Sequence, residues 1–217
     1  IQVQSDGGLI VAIISNATTI ADAGSFSVGL GSIVLIKTIA ITSNTSTVDF
    51  VHGSSSVVLD GTYPIYRFDV INAHPSNAGV EFKVGFRDGG SDFDAVKTTT
   101  IFTCQHVNGS TNLEHVNAED LAQSTALQAL TVASQVGTDN DEGTSGSLLL
   151  YDPANTTHAK YFHSDFSYVS NDATHGCYHN QGSGCLNTTT AIDGVRFQFT
   201  SNNIGSGVFK LYGIKDS

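Results

Sequence analysis

The side chains best suited to hold a metal lie close together. His175-Gly176-Cys177-Tyr178-His179, followed by Cys185, places four imidazole and thiol groups within eleven residues. These are the ligand types of tetrahedral zinc. Their spacing argues against such a site, because positions i and i+2 of a strand share a face without converging. The segment is Gly-rich and reads first as a solvent loop. Its cysteines, Cys177 and Cys185, stand eight apart, a separation that a surface disulfide could close. The third cysteine, Cys104, sits in an apolar-leaning stretch and reads as a buried thiol.

A second cluster, Asp139-Asn140-Asp141-Glu142-Gly143, gathers three carboxylates in a Gly-flanked turn that could offer oxygen ligands to a hard cation. It lacks the twelve-residue spacing of a calcium loop and reads as a solvated turn, as do Asp88, Asp92 and Asp94 around Gly89-Gly90. No Gly-x-Ser-x-Gly elbow marks a nucleophile. Gly29 and Gly31, and Gly205 and Gly207, lack a Rossmann or P-loop context. No pair of acids stands at a spacing recognisable for glycoside hydrolysis. With Trp absent, a sugar-stacking platform would draw on Tyr63, Tyr66, Tyr151, Tyr161, Tyr168 or Tyr178, most of which read as core or rim. The residues therefore point to a non-enzyme with no catalytic group and no cofactor.

The elements that must position these groups are strands. Val80, Phe82, Val84 and Phe86 alternate with polar or small residues, as do Tyr66, Phe68 and Val70, Val195, Phe197 and Phe199, and Val48 and Phe50. Period-two alternation is the mark of a half-buried strand. Further strands are expected over 33–41, 96–104, 147–151, 158–168 and 208–214. Turn chemistry separates them at Asp60-Gly61, Asp88-Gly89-Gly90, Asn108-Gly109, Asp152-Pro153 and Asn202-Asn203. Eight to ten short strands at this spacing predict an all-β antiparallel sandwich or jelly roll. One helix is expected at about 118–132, where Asn117 could cap a first turn holding Glu119 and Asp120, ahead of Leu121, Ala126, Leu127 and Leu130. It would cover a sheet edge in the crossover between the two halves.

Residues 1–31 differ in texture, being small, apolar and Gly/Ala/Ser-rich. They read as an N-terminal arm or added strand ahead of a single domain over 32–217. Leu9, Ile10, Val11, Ile13 and Ile14 are its candidate assembly contacts, either as an edge strand of the same sandwich or paired with a neighbouring subunit. The apolar run at 9–14 falls far short of the ~18 residues of a membrane span. Ile1 in place of Met suggests a processed product or a start inside a longer gene product.

The 217 residues carry 20 acidic and 9 basic side chains, a net charge of -11. Only 13% are charged, against a usual ~25%, so Ser, Thr, Asn and Gly supply most of the polar surface. That balance disfavours helical bundles and coiled coils, while 40% hydrophobic residues disfavour disorder. Such acidity gives no general attraction to phosphate backbones or anionic membranes, so neither nucleic acid nor a membrane is an expected partner.

Several stretches carry a resemblance. They run in order from Ile33-Val34-Leu35-Ile36-Lys37-Thr38-Ile39 through Val57-Val58-Leu59-Asp60-Gly61-Thr62-Tyr63 and Tyr66-Arg67-Phe68-Asp69-Val70-Ile71-Asn72-Ala73-His74-Pro75. Next come Asp120-Leu121-Ala122-Gln123-Ser124-Thr125-Ala126 and residues 137–146. The series ends with Ala191-Ile192-Asp193-Gly194-Val195-Arg196-Phe197-Gln198-Phe199 and residues 207–214. Together they resemble virion structural proteins of marine tailed bacteriophages, especially cyanophages, described as structural or tail-fibre-like. Residues 1–30 and 170–190 do not share the pattern. The resemblance implies a subunit displayed on the virion, as capsid decoration or tail-fibre or appendage building block. Its partners would be itself, as a homo-oligomer, other virion proteins and, on a fibre, a host surface glycan. A receptor- or carbohydrate-binding module of a phage fibre and a subunit of a non-viral extracellular filament are the alternative readings.

Overall fold

Alternation of Phe and Val with polar residues gives most of the strands an inward and an outward face, and twelve strands stack as two antiparallel sheets. The computed structural model describes residues 32–132 and 136–215, together with the backbone of four short strands within the first 31. Those four, β1 (Gln2–Gln4), β2 (Ala12–Ser15), β3 (Thr18–Asp22) and β4 (Ser25–Phe26), form their own antiparallel sheet. Ile13 and Ile14 fall in β2, opposite Val3 and Gln2. Leu9, Ile10 and Val11 lie outside the described residues.

The sandwich comprises β5 (Ile33–Ile41), β6 (Val48–Val51), β7 (Ile65–Pro75), β8 (Phe82–Arg87), β9 (Lys97–Val107), β10 (Ser110–His115), β11 (Gln128–Ala129), β12 (Gly143–Tyr151), β13 (Lys160–Val169), β14 (Cys177–Leu186), β15 (Gly194–Phe199) and β16 (Ile204–Ile214). The larger sheet is ordered β10-β9-β14-β13-β12-β7-β16-β5 and the smaller β11-β8-β15-β6. With the hairpins β9–β10 and β13–β14 set aside, β5-β16-β7-β12 faces β6-β15-β8-β11. That is the winding of an eight-stranded jelly roll. Both hairpins extend the β12 side of the larger sheet. The β9–β10 turn is the expected Asn108-Gly109, with φ of 51 and 75°, the left-handed pair that a tight hairpin turn requires.

The core is aromatic. Phe68, Phe162, Phe166 and Phe209 point inward from the larger sheet, and Phe50, Phe82, Phe86, Phe197 and Phe199 from the smaller, all buried. Ring centroids meet across the layers at 5.4 Å for Phe50–Phe68, 4.8 Å for Phe86–Phe162 and 6.0 Å for Phe197–Phe209, within the range of favourable tilted and edge contacts.

No helix forms over 118–132. A single 3-10 turn, Asn117–Glu119, is followed by extended chain. Helix propensity offers at most ~0.7 kcal/mol between ordinary residues, and here tertiary hydrogen bonds override it. Thr99 N–H donates to Leu121 O, Leu121 N–H donates to Thr99 Oγ1, and Ser124 and Lys97 exchange both backbone bonds. Further along, β11 pairs with β8, and Leu130 N–H donates to Phe82 O. The segment is a strap tying β9 of one sheet to β8 of the other. Lys97 is buried beneath it, with Nζ donating to Ala126 O at 2.7 Å. Burial pushes this ammonium down to about 8, against the opposing pull of Asp94 and Asp88. Among the described residues no helix is long and apolar enough to cross a membrane.

Candidate functional site

The sandwich presents two outer faces, and their chemistry differs. On the smaller sheet, Arg196 grips Asp49 through two bonds of 2.8 and 2.7 Å and lies 4.1 Å over the Phe93 ring. Arg87 holds Asp193 through bonds of 2.7 and 2.9 Å, and Lys83 lies 2.9 Å from Glu81. Loops lie directly on this sheet. A Cβ added at Gly85 would meet Leu127 at 2.4 Å and Phe93 O at 2.9 Å. This face is covered and internally paired.

Among the described residues nothing lies over the outer side of the larger sheet. Ile33, Leu35, Ile71, Phe102, Leu113 and Tyr161 are the exposed large hydrophobic residues among the described residues, and every one occupies an outward position of this sheet. Charge is sparse there. Of the 20 acidic side chains, the outward strand positions carry Asp69 and Asp165, and Asp69 is neutralised by Arg67 at 2.6 Å. These residues are spread over the face from β10 to β5, and the trait it shares with the core of an interface is its depletion of charged side chains.

The face also has relief. Phe102 of β9, Leu149 and Ser147 of β12, His163 and Asp165 of β13 and Gln181 of β14 border an open cup of about 580 Å³. Register explains the grouping, since Asp165 stands opposite both Ser147 and Gln181, and Gln181 opposite Phe102. Gly182 and Gly184 face inward on β14, where a Cβ would strike Ser164 and Phe162, so the sheet bends closely over its core there. Beside the cup, His179 Nδ1 lies 3.2 Å from Ser167 Oγ and 3.7 Å from Asp165 Oδ1. The cup offers an aromatic edge, one carboxylate, an amide and hydroxyls, a set able to hold a polar ligand but not arranged as nucleophile and base.

The sites expected from sequence are placed differently. Residues 177–186 form strand β14, not a loop, so Cys177 and Cys185 sit at its two ends, about 26 Å apart at ~3.3 Å per residue. A disulfide requires Cα atoms within ~6.8 Å, and all three cysteines are free thiols. Cys104 is exposed on an outward position of β9, not buried. His175 lies in the preceding turn with φ of 44°, its Nδ1 4.0 Å from Glu142 Oε1. The candidate ligands His175, Cys177, His179 and Cys185 thus run from that turn along β14 and do not meet. In the acidic turn, Glu142 folds back so that Oε2 accepts from Asp139 N–H at 3.0 Å, while Asp139 and Asp141 face solvent. Among the described residues no three His, Cys, Asp or Glu groups stand together as a set of metal ligands. Sequence reasoning missed Phe102, Leu113, His163 and Asp165. For Phe102, His163 and Asp165 the signal was the outward phase of strands identified only by their inward one, whereas β10, which carries Leu113, has no buried phase to reveal it. Compared with known proteins, the chain matches no family model, no curated protein and no solved structure.

Proposed function

We propose that the protein is a structural subunit that works by self-assembly, a surface component of a tailed-phage virion such as capsid decoration or a tail-fibre or appendage building block. The observation carrying the assembly reading is the outer face of the larger sheet, which holds all six exposed large hydrophobic residues found among the described residues, spread from β10 to β5, and few carboxylates. Its occupant is a second copy of this chain. At charge -11, copies repel one another except where acids are fewest. Eight strands spaced ~4.8 Å apart and mostly nine to eleven residues long at ~3.3 Å each outline about 1,100 Å², above the ~800 Å² per partner of a standard interface. The virion setting rests on the sequence resemblance, and a many-copy particle suits a contact of modest strength per subunit.

A second reading, a glycan-binding head on a fibre, is favoured by the cup, where Phe102 stands near Asp165 and Gln181. Light scattering of the full chain at micromolar concentration separates the two. A mass that is a multiple of the monomer supports assembly. A strict monomer overturns it, and a monomer that captures glycans in a manner lost with Gln181→Ala establishes the alternative.

A further inference from the structure

We propose that Cys104, His106, Cys177 and His179 form a tetrahedral site for a soft divalent cation, zinc foremost, on the outer face of the larger sheet. The geometry that sequence spacing could not reveal is strand pairing. Cys104-Gln105-His106 on β9 and Cys177-Tyr178-His179 on β14 are the same Cys-x-His triplet, and the strands run antiparallel with Cys104 opposite His179 and His106 opposite Cys177. All four positions are in the outward phase of their strands. Along one strand, i and i+2 side chains do not converge, but a matching pair on the adjacent strand converts a line into a square.

Dimensions fit the chemistry. Facing Cβ atoms in an antiparallel pair stand about 4.5–5.5 Å apart, and the diagonal Cβ–Cβ distance is somewhat below about 7–8 Å. The two thiols occupy one diagonal and can share a cation held ~2.3 Å from each sulfur. The two longer imidazoles reach in from the other diagonal. Thiolate with imidazole selects zinc-type cations over calcium or magnesium. As the side chains stand they do not form a set of metal ligands. Because Cys104, His106 and Cys177 are exposed and His179 half-buried, rotation about χ1 assembles the site without moving the sheet.

The surroundings prepare one ligand already. Ser167 Oγ lies 3.2 Å and Asp165 Oδ1 3.7 Å from His179 Nδ1. A carboxylate on that side favours the tautomer with the proton on Nδ1, which leaves the Nε2 lone pair for a metal. This is the outer-shell partnership that most metal-bound histidines show. Leu113, opposite Cys104, and Val169, opposite Cys177, flank the thiols with apolar groups. Both thiols lose a proton as the cation binds, so affinity rises with pH.

The site does not depend on self-assembly and is tested on the full chain under a non-thiol reductant, with Co²⁺ as the spectroscopic probe and Zn²⁺ as competitor. One Co²⁺ per chain is expected, with thiolate-to-metal charge-transfer absorption and the intense d–d bands of tetrahedral geometry, displaced by Zn²⁺. Cys104→Ser and Cys177→Ser should each weaken zinc binding more than the ~10–100-fold typical of losing an outer-shell partner. Cys185→Ser, at the far end of β14, should leave it unchanged. Zinc should also raise the thermal midpoint of the wild type and of Cys185→Ser but not of the other two. Absence of the charge-transfer band in the wild type, or zinc affinity within tenfold of wild type in both Cys104→Ser and Cys177→Ser, overturns the proposal.

Discussion

Tyr161 is the sharpest probe of the open face. It lies on β13, the fourth of eight strands, and is 58% exposed. A fully enclosed Tyr buries about 150–250 Å², so about 90–140 Å² of this one awaits a partner. At ~25 cal/mol/Å² that area is worth about 2–3.5 kcal/mol when covered. Tyr161→Ser removes most of it and should weaken association at least ~30-fold, since 1.4 kcal/mol is tenfold in a constant. The fold itself should barely notice, because neighbouring side chains enclose less than half of the residue. Sedimentation equilibrium over a concentration series gives the association constant, and urea unfolding gives the stability of the same samples. Gln198→Ala, on the outward face of the smaller sheet, serves as control. If Tyr161→Ser associates within twofold of wild type while remaining folded, the larger sheet is not the interface.

Two further outcomes follow from the core and its buried charges. Phe82 touches the rings of Phe166, Phe197, Phe199 and Phe209, so Phe82→Ala should cost about 3–5 kcal/mol in urea unfolding; a loss below ~1 kcal/mol would contradict the packing. Lys97 holds its proton less tightly when folded, at about 8 against 10.5 unfolded. The unfolded chain therefore binds more protons across that window, and stability should rise by about 1–2 kcal/mol from pH 8 toward 10.5, allowing for solvent screening. Tyr66, held at about 12 by burial, reverses the trend above pH 10, where the unfolded phenol ionises first. Lys97→Met should raise the melting temperature at pH 7 and flatten the alkaline rise, and an unchanged profile would refute the assignment.

Strands with an apolar inward phase were legible in the sequence. Tyr66, Phe68 and Val70, and Val195, Phe197 and Phe199, fall where period-two alternation puts them. Strand β14 was hidden because its inward phase is Tyr178, Asn180, Gly182, Gly184 and Leu186, with small or polar residues where Phe162 and Ser164 need room. The strap was misread because Asn117, Glu119 and Asp120 resemble an N-cap and first turn ahead of Leu121, Ala126, Leu127 and Leu130, while the strands that capture its backbone are remote in sequence. The open face was invisible for a related reason. Alternation says which side chains turn outward, but only register, joining β9 to β14 and β13 to β12, shows which of them become neighbours.

Two hairpins lengthen one layer of this jelly roll and leave the other at four strands, so the far end of the broader layer overhangs like a cantilever. Packing alone would leave such a ledge to hinge. The strap over 117–132 acts as its bracket, because its main chain is hydrogen-bonded to β9 on the overhang and to β8 underneath. A load applied to the ledge is thereby carried to the opposite layer by backbone bonds in shear.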